Sequence, residues 1–405
     1  MGIIFPKKHY FWGIKISMIT RIIEKNLSER LFKGKTIIVT GPRQVGKTTL
    51  LKNVLKNHDY LFLDGDDPFI RTQLTNPNTK EIEAILGTAK LVFIDEAQRI
   101  ENIGITAKII HDQFKGVQLL MSGSSAFELR NHTNESLTGR KWEYNLYPIS
   151  YEELEKSTSL VDARRQLENR MIYGFYPDVV NNPGEERDTL NEITQSYLFK
   201  DILAYGNIKK PEILEKILRA LAFQVGSEVS YNEIAQLTGV DKKTVANYIH
   251  LLTLSYIIYP LTSFSRNLRN EIKTNQKIYF YDNGVRNALI QNFNPIELRN
   301  DVGALWENFL ITERIKRNHY HRVYANKYFW RTKQQQEIDY VEETDGIIRG
   351  FEFKWNPRAK TSIPTNFTTT YNANVEIVTN ENFRDFITST SLTNTPHTHS
   401  YNHGS

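Results

Sequence analysis

Cysteine is absent from the 405-residue sequence. Its absence excludes a fold held by disulfides, an iron–sulfur cluster, a zinc site with thiolate ligands and catalysis by a thiol. A long apolar segment is absent as well. The longest stretch without a charged side chain, residues 244–265, contains Asn247, His250 and Pro260, whereas a bilayer-spanning helix needs about 20 mainly apolar residues. We therefore expect no membrane partner.

The excess of positive charge is also small. The sequence has 51 Lys and Arg against 46 Asp and Glu, a formal net charge of +5, which permits a nucleic-acid partner without requiring one. With 40% hydrophobic and 24% charged residues, the composition is that of a globular protein rather than a disordered chain, a collagen or a coiled-coil rod. The length predicts two or three domains.

The two ends of the sequence lack the features of folded or exported segments. Residues 1–17 are aromatic and basic, but they contain no continuous apolar core and no small-residue cleavage site. They are a poor signal peptide, and we expect a loosely ordered extension of a cytoplasmic protein. Residues 388–405 are rich in Ser, Thr and Asn, which predicts a disordered tail. Its histidines, His397, His399 and His403, could chelate a metal ion, but a solvated tail is the simpler interpretation.

The most specific pattern is a glycine-rich loop between a strand and a helix. Residues 36–40 form an apolar run that predicts a buried strand, GPRQVGKTT follows, and LLKNVL then has helical spacing. Glycines let backbone N–H groups face phosphate oxygens, and the helix N-terminus adds partial positive charge. Lys47 would reach the β- and γ-phosphates of ATP, and the Thr48 hydroxyl would bind Mg²⁺. The residues predicted to surround the phosphates are Gly41, Pro42, Arg43, Gln44, Val45, Gly46, Lys47, Thr48 and Thr49.

A pair of acids follows a second apolar run, in LVFIDEAQ at residues 91–98. Asp95, at the carboxyl end of the predicted strand, suits a water-mediated contact with Mg²⁺, and Glu96 can polarise the attacking water. A surface acidic pair is the alternative. A further predicted strand, residues 60–64, lies between the two motifs, and a guanine-reading NKxD is missing downstream. Together these features indicate the ATPase branch of P-loop proteins rather than the GTPase branch.

Three further residues are candidates for two roles in ATP hydrolysis. VQLLMSGSSA, residues 117–126, predicts a strand that ends in small polar residues, where Ser124 or Ser125 would sense the γ-phosphate. A Gly-Ser turn fits the same pattern. Arg140, in LTGRKWEY, would supply positive charge to a phosphate in its own subunit or across the interface of a homo-oligomer. A solvated arginine at a strand start is the alternative.

These motifs resemble those of a large bacterial and archaeal group of AAA-type ATPases. The similarity rests on GPRQVGKTT, LVFIDEAQ, GSSA, LTGR and YPISYEEL, and it continues through IYGFYPDVV, SYLFKDILAYGNI, KIYFYDNGVRNAL and GALWENFL. It covers roughly residues 18–380. The resemblance implies a P-loop ATPase domain followed by a C-terminal domain with a restriction-endonuclease-like fold. Neither the N-terminal extension nor the tail has a counterpart in the group.

The middle of the chain predicts a helix-turn-helix within residues 212–262. Ser230 and Glu233 have the capping-box spacing at the start of one helix, and Asp241 caps the next. The residues predicted to face inward are Ile234, Ala235, Leu237, Val245, Ile249 and Leu252. The residues left to face outward are Lys242, Lys243, Asn247 and His250. The lysines would contact DNA phosphates and Asn247 a base edge, although a spacer or a protein-docking unit fits the same pattern.

A second group of acids lies within residues 300–380. ALWENFL predicts a helix that carries Glu307, EIDYV a strand that carries Asp339, and GFEFKW a strand with Glu352 and Lys354 on one face. This spacing is the PD-(D/E)xK arrangement of metal-dependent nucleases, although the Pro–Asp pair is absent. Asp339 and Glu352 would share one or two Mg²⁺ ions, with Lys354 and Glu307 assisting the attack of water. Charged residues on exposed strand faces are the alternative.

The sequence as a whole predicts an α/β protein with three folded parts. An AAA-type P-loop parallel-sheet domain would span residues 18–150, a helical connector with a winged helix residues 151–299, and an α/β restriction-endonuclease-like domain residues 300–387. The expected function is Mg²⁺-dependent ATP hydrolysis coupled to a C-terminal half that engages DNA, as an ATP-regulated nuclease. The alternative is an inactive nuclease-like module that binds DNA or a protein. A signalling or transcription-regulating ATPase without nucleic-acid chemistry also stays open.

Overall fold

The computed structural model describes residues 19–124, 137–198, 211–265 and 276–389. Within these residues the chain forms two β-sheets with helices packed around them. The predictions for residues 1–17, for Ser125 and for the three tail histidines lie outside the described residues.

The first sheet has five parallel strands in the order β2–β3–β4–β1–β5. The strands are β1 (Thr36–Thr40), β2 (Leu61–Asp64), β3 (Leu91–Asp95), β4 (Gln118–Gly123) and β5 (Lys141–Asn145). β1, β3 and β4 are buried along their whole length, as expected for central strands of a parallel sheet covered on both faces. The glycine-rich loop follows β1, and the acidic pair lies at the end of β3. β4 alone lies between these two strands, so both motifs are at the carboxyl edge of the sheet.

Helices cover both faces of this sheet. They are α1 (Ile23–Ser28), α2 (Lys47–Leu55), α3 (Pro68–Leu74), α4 (Thr79–Leu86) and α5 (Ile103–Gln113), with a 3₁₀ turn at Ala97–Arg99. Side chains of a strand alternate between faces, so Ile37 and Val39 enter one apolar core and Ile38 the other. The core that contains Ile37 and Val39 continues into the C-terminal half, as far as Ile387. The two halves therefore share one hydrophobic core.

The segment after β5 is helical and leads to the predicted helix-turn-helix. Its elements are α6 (Tyr151–Ser157), α7 (Leu160–Tyr173), α8 (Pro177–Asn181), α9 (Glu186–Glu192), a π-helical turn (Ile193–Leu198), α10 (Pro211–Phe223), β6 (Glu228–Val229), α11 (Tyr231–Thr238), α12 (Lys242–Leu254), β7 (Ile258–Ser263) and β8 (Gln276–Phe280). The predicted caps are present: the Glu233 N–H donates to Ser230 Oγ at 3.4 Å, and the Thr244 N–H donates to Asp241 Oδ1 at 3.0 Å.

One predicted inward residue of α11 is wrong. Leu237 is 64% exposed, whereas Thr238 is buried. The Thr238 hydroxyl donates to the Ile234 carbonyl at 2.6 Å, and this bond satisfies the polar group inside the helix pair. The buried face of α11 thus passes through positions 234 and 238, and Leu237 is turned to solvent.

The second sheet joins the middle and the end of the chain. Its seven strands have the order β12–β11–β10–β9–β7–β8–β6, with β9 (Asn326–Arg331), β10 (Glu337–Thr344), β11 (Ile347–Lys354) and β12 (Asn374–Thr379). β7 pairs in parallel with β9, with Thr262 opposite Tyr328 and Ser263 opposite Phe329. The sheet therefore crosses the domain boundary predicted at residue 299. β9, a strand of the C-terminal region, pairs with the backbone N–H and carbonyl groups along one edge of β7.

The remaining helices are α13 (Asn283–Leu289), α14 (Val302–Tyr320), α15 (Thr365–Tyr371) and α16 (Phe383–Ile387), with a 3₁₀ turn at Ile296–Leu298. The long helix α14 is tied to the start of α6, because the Tyr151 N–H donates to Glu313 Oε2 at 2.7 Å and Lys316 Nζ donates to the Ile149 carbonyl at 3.0 Å. Ser389 Oγ donates to Glu152 Oε1 at 2.7 Å, so ordered contacts continue past the predicted start of the tail. No helix in the described part of the chain is both long and apolar enough to cross a membrane.

Candidate functional site

The glycine-rich loop wraps around the start of α2. Gly46 has a left-handed backbone with a φ of 88°, a conformation that glycine adopts at little cost. A Cβ atom on Gly41 would lie 2.0 Å from the Leu146 carbonyl oxygen, so no other residue fits there without a shift. Lys47 Nζ is buried and donates to the carbonyls of Gly41 and Pro42 at 3.0 and 2.7 Å. The ammonium group is thus held in the curve of the loop.

Asp95 and Thr48 meet at the carboxyl edge of the sheet, as the sequence predicts. Thr48 Oγ1 donates to Asp95 Oδ2 at 2.7 Å, and Ser122 Oγ on β4 donates to Asp95 Oδ1. Sequence reasoning missed Ser122, whose only signal is a polar residue inside the apolar run of β4. The pair fits a Mg²⁺ ion, because a hydroxyl and a carboxylate side by side are the hard oxygen donors that this ion prefers.

Glu96 belongs to a second hydrogen-bonded group. Gln98 Nε2 donates to Glu96 Oε2 at 2.6 Å and to Ser124 Oγ at 3.0 Å. Ser124 and Gln98 are both buried. The structure therefore joins the predicted water-orienting and phosphate-sensing residues through Gln98, a residue that lies in the LVFIDEAQ motif but was given no role.

Two adjoining cavities open beside the loop. The first, which we name the loop cavity, has a volume of about 260 Å³ and is lined by Arg43, Gln44, Gly46, Lys47, Thr48, Thr49, Asp66, Glu96 and Arg99. The second, the side cavity, has about 340 Å³; apolar Ile19, Val45, Leu50 and Ile149 line it together with Asp178 and Asn181 of α8. Gln44, Gly46 and Thr49 line both cavities. Gln44 Oε1 is buried and has no hydrogen-bond partner among the described residues.

Arg140 lies at the opposite edge of the first sheet. Its carbonyl accepts from the Thr36 N–H at 2.9 Å, at the start of β1, whereas the loop begins after Thr40 at the other end. Five strand residues span about 16 Å, more than an arginine side chain covers, and Arg140 Nε lies 2.8 Å from Asp112 Oδ1. The prediction that Arg140 serves a phosphate in its own subunit is therefore wrong. The role across a subunit interface stays a prediction.

Polar contacts connect the edge of the sheet beside the loop to the C-terminal half. The Tyr256 hydroxyl, two residues beyond α12, donates to Asn145 Oδ1 at 2.7 Å and lies 2.8 Å from Thr40 Oγ1. The Asn145 N–H donates to His319 Nε2 of α14 at 3.0 Å. Burial, with a smaller contribution from Lys327, lowers the pKa of His319 to about 4. A neutral His319 is the form that can accept this bond.

The predicted DNA-contacting residues lie on one side of α12. Lys242, Lys243, Asn247 and His250 are exposed, whereas Val245, Ile249 and Leu252 are buried. This division agrees with the predicted inward and outward faces of the helix. The nearby acid, Asp241, is engaged with Thr244, so the first turn presents two lysines to solvent.

The second group of predicted catalytic residues does come together, but with lysines among the acids. We name Glu307, Glu337, Asp339 and Glu352 the acidic cluster. Lys277 Nζ, from β8, lies 3.0 Å from Glu307 Oε1 and 2.5 Å from Glu337 Oε1. The Tyr279 hydroxyl donates to the same Glu307 oxygen at 2.5 Å. Lys277 is only 2% exposed. Sequence reasoning missed Lys277, although a lysine directly before the apolar residues of a strand is a signal.

The outer part of the cluster is held by Lys354. Its Nζ donates to Glu352 Oε2 at 3.1 Å and lies 3.9 Å from Asp339 Oδ2, and the same Asp339 oxygen accepts from the Phe353 N–H at 2.8 Å. Burial is the largest cause that raises the pKa of Glu352 to about 7, and the Asp339 charge adds to it. Burial likewise raises the pKa of Glu307 to about 7 against the effect of Lys277.

This donor set does not fit the divalent metal that the sequence pattern implies. Among residues 19–124, 137–198, 211–265 and 276–389, no group of three His, Cys, Asp or Glu side chains is arranged to hold a metal ion. The carboxylate oxygens face ammonium groups instead. The predicted ligands Asp339 and Glu352 therefore lie in an ion network, with Lys354 between them.

Three protein families match successive parts of the chain. Residues 33–155 match the family described as AAA domain, and residues 164–296 and 302–398 match families described as domains of unknown function, DUF8612 and DUF4143. The first sheet and its loop thus have an AAA-type P-loop fold, as the sequence predicts. The other two matches do not test the winged-helix or nuclease-like predictions.

Similar proteins extend over most of the chain. An uncharacterized protein of Mycobacterium tuberculosis is 28% identical over 343 residues, which cover 84% of this chain and 73% of that protein. An uncharacterized protein of Methanocaldococcus jannaschii is 22% identical over 359 residues, with coverages of 81% and 77%. Among solved structures, the Walker-type ATPase of Pyrococcus abyssi has a TM-score of 0.48 and 16% identity, and the match covers 67% of this chain and 96% of that one.

Proposed function

We propose that the protein binds ATP with Mg²⁺ at the glycine-rich loop and hydrolyses it. The observation that supports this most directly is the meeting of Thr48 and Asp95 at 2.7 Å, beside a cavity that Lys47 and Glu96 also line. An AAA-type P-loop fold alone permits nucleotide binding. What favours hydrolysis is that the Thr48–Asp95 pair, which fits Mg²⁺, lies beside Glu96, a carboxylate that can activate water.

The loop residues bind and neutralise the phosphates. Backbone N–H groups of Gly41 and of residues 43–49, together with the N-terminus of α2, would surround phosphate oxygens. Lys47 would exchange its loop carbonyls for the β- and γ-phosphates. Thr48 and Asp95 would hold Mg²⁺, which offsets the charge that develops on the transferred phosphoryl group. These residues position the reacting group and stabilise its charge.

Glu96 orients the attacking water and accepts its proton. Gln98 fixes the Glu96 carboxylate through the 2.6 Å hydrogen bond, and it bridges to Ser124 at 3.0 Å. When a γ-phosphate enters the loop cavity, Ser124 is the group that senses it. The hydrogen bond from Gln98 thus holds the Glu96 carboxylate in one orientation.

The side cavity would take the nucleoside. Its apolar walls suit the faces of a purine base, and Asp178 offers an acceptor to an exocyclic amino group. Gln44 Oε1, buried without a partner among the described residues, would accept a hydrogen bond from the same ligand. The 6-amino group of adenine can donate to such an acceptor.

Replacing Lys47 tests the nucleotide site. Lys47→Ala removes a charge-assisted contact with two phosphates, so the affinity for ATP should fall by about 100-fold or more in a fluorescent-nucleotide titration. Lys52→Ala, on the exposed face of the same helix, is the matched control and should bind as the wild type does. Equal affinity of the Lys47→Ala and wild-type proteins would contradict the proposal.

We also propose that α11 and α12 form the helix-turn-helix of a winged-helix unit that engages DNA. The supporting observation is the single exposed face of α12 with Lys242, Lys243 and Asn247, and β6, β7 and β8 supply the small sheet of such a unit. Tyr256 connects this unit to the edge of the first sheet. Binding of DNA and of ATP would thereby be coupled, and a protein partner on the same face is the alternative.

Phosphate contacts by α12 predict a defined salt dependence. The double variant Lys242→Ala/Lys243→Ala should weaken DNA binding and lower the slope of log affinity against log salt by about 2. Lys216→Ala/Arg219→Ala, an equal charge change on the exposed face of α10, is the control. Fluorescence anisotropy with duplex DNA measures both. Equal effects of the two double variants, or no DNA binding by the wild type, would favour the protein-partner alternative.

A further inference from the structure

Lys277 lies at one side of the group that the sequence pattern assigns to a nuclease. It comes from β8, on the helix-turn-helix side of the second sheet, and it reaches Glu307 on α14 and Glu337 on β10. Its side chain is 2% exposed, and those of the two glutamates are 13% and 27% exposed. One ammonium group thus joins three elements from both sides of the predicted domain boundary.

A buried ammonium group is stable only with such partners. Desolvation disfavours the charged form of a lysine, yet the two nearby glutamates raise the pKa of Lys277 well above its ordinary value. The acids depend on the lysine in the same way, because an uncompensated carboxylate in this position would be costly. Lys277, Glu307 and Glu337 therefore stabilise one another.

A divalent ion on Glu307 or Glu337 would compete with Lys277 for the carboxylate oxygens, and an ion on Asp339 and Glu352 would compete with Lys354. Mg²⁺ binds oxygen at about 2.0–2.1 Å, so an ion on Glu307 Oε1 would lie within about 5 Å of an ammonium group that is 3.0 Å from that oxygen. The Tyr279 hydroxyl already donates to the same atom. On the outer side, Lys354 contacts both remaining acids, and Arg331 Nε lies 3.8 Å from Glu337 Oε2.

We propose that Lys277 is the resident cation of the acidic cluster, which takes no divalent metal and does not cut nucleic acid. The cluster instead locks the helix-turn-helix unit to α14 and to the C-terminal strands. The C-terminal half is then a binding and coupling module, and the nuclease-like residues serve this ion network. This inference stands independently of the proposed ATPase activity.

Metal binding tests the proposal on the full, nucleotide-free chain. Electron paramagnetic resonance of free Mn²⁺ should detect no site that depends on Asp339 and is tighter than about 1 mM in the wild type, a value at the weak end of the dissociation constants of dedicated oxygen-ligand sites. Lys277→Met, which keeps most of the length of the side chain and removes the ammonium group, should gain a Mn²⁺ site, and Lys277→Met/Glu307→Gln should lose it again. A folded Lys277→Met protein without such a gain contradicts the role assigned to Lys277.

The wild-type protein gives the decisive result even if Lys277→Met does not fold. A Mn²⁺ site in the wild type that Asp339→Asn abolishes would overturn the proposal. So would Mn²⁺- or Mg²⁺-dependent cleavage of plasmid or linear DNA that Asp339→Asn abolishes. Absence of both in the wild type supports it.

Thermal stability tests the lock itself. Lys277→Met and Glu307→Gln should each lower Tm by several degrees, and the double variant should lose clearly less than the two losses combined, because the second change removes the charge that the first leaves unpaired. Lys354→Met is the matched control, since its lysine is 31% exposed and should cost less. Additive losses for Lys277 and Glu307 would contradict a mutual lock.

Discussion

Glu96 has a backbone φ of 45° and ψ of 40°, in the left-handed region that residues other than glycine rarely adopt. Such a conformation persists where the surrounding structure imposes it, and it is common at functional positions. Here it turns the chain directly after Asp95, so the Glu96 carboxylate meets Gln98 while the Asp95 carboxylate meets Thr48. Two consecutive acids are thereby assigned to two different partners.

Gln98 is predicted to act on turnover through Glu96. Gln98→Ala leaves the Glu96 carboxylate without its 2.6 Å donor, so kcat for ATP should fall by about 10-fold or more while KM stays within a few-fold. Steady-state kinetics with ATP measure both constants. If KM rose as much as kcat fell, Gln98 would be supporting the shape of the cavity instead of the position of Glu96.

The residues that could be predicted from sequence are those whose partners are close in the chain or belong to a fixed motif. Lys47 and Thr48 follow from the loop pattern, and Asp95 and Glu96 from the strand that precedes them. Gln98 was missed because its role depends on Ser124, 26 residues away. Lys277 was missed for the same reason, since its acids come from separate elements that only the folded sheet brings together.

At the scale of elements, the contacts between α14 and the first sheet were beyond sequence reasoning. The sequence predicted a helix around ALWENFL, and Leu305, Trp306 and Phe309 of that helix are buried. It could not predict that His319, in the last turn, would receive the Asn145 N–H at the end of β5. The pairing of β7 with β9, on opposite sides of residue 299, was unpredictable for the same reason. Which strand pairs with a sheet edge depends on its position in the folded chain.

His319 gives this contact a pH dependence. Its pKa is lowered to about 4, whereas an unfolded histidine has a pKa of about 6.5. As the pH falls, His319 is protonated in the unfolded chain before it is protonated in the folded chain. The contribution of neutral His319 to the free energy of unfolding is therefore complete above about pH 6.5 and is lost as the pH falls towards 4. From pH 7 to pH 5 this group should lower the free energy of unfolding by about 2 kcal/mol.

The control for His319 is a variant that accepts the same bond without titrating. His319→Gln should show a smaller loss of stability between pH 7 and pH 5 than the wild type, as measured by urea denaturation at each pH. Identical losses in the two proteins would show that His319 is protonated equally in the folded and unfolded states.

At the scale of the whole molecule, one apolar core runs from the first sheet to α16, and polar contacts repeat the connection at Tyr256 and α14. The strand end from which the glycine-rich loop leaves therefore contacts residues of the C-terminal half. Arg140 lies on the far edge of the first sheet, in a cleft of about 820 Å³ that Lys35 and Lys115 also line. An arginine at this edge can reach a nucleotide only in a neighbouring subunit. Of the two predicted roles of Arg140, the geometry therefore permits only the one across the interface of a homo-oligomer.

The most direct test of the account is the turnover of ATP by Glu96→Gln. The variant keeps the loop, Lys47 and the Thr48–Asp95 pair, and it loses only the carboxylate that orients and deprotonates water. We predict ATP affinity within a few-fold of the wild type and a kcat reduced by about 100-fold or more, measured by phosphate release in the presence of Mg²⁺. A Glu96→Gln protein that hydrolyses ATP at the wild-type rate would contradict the account.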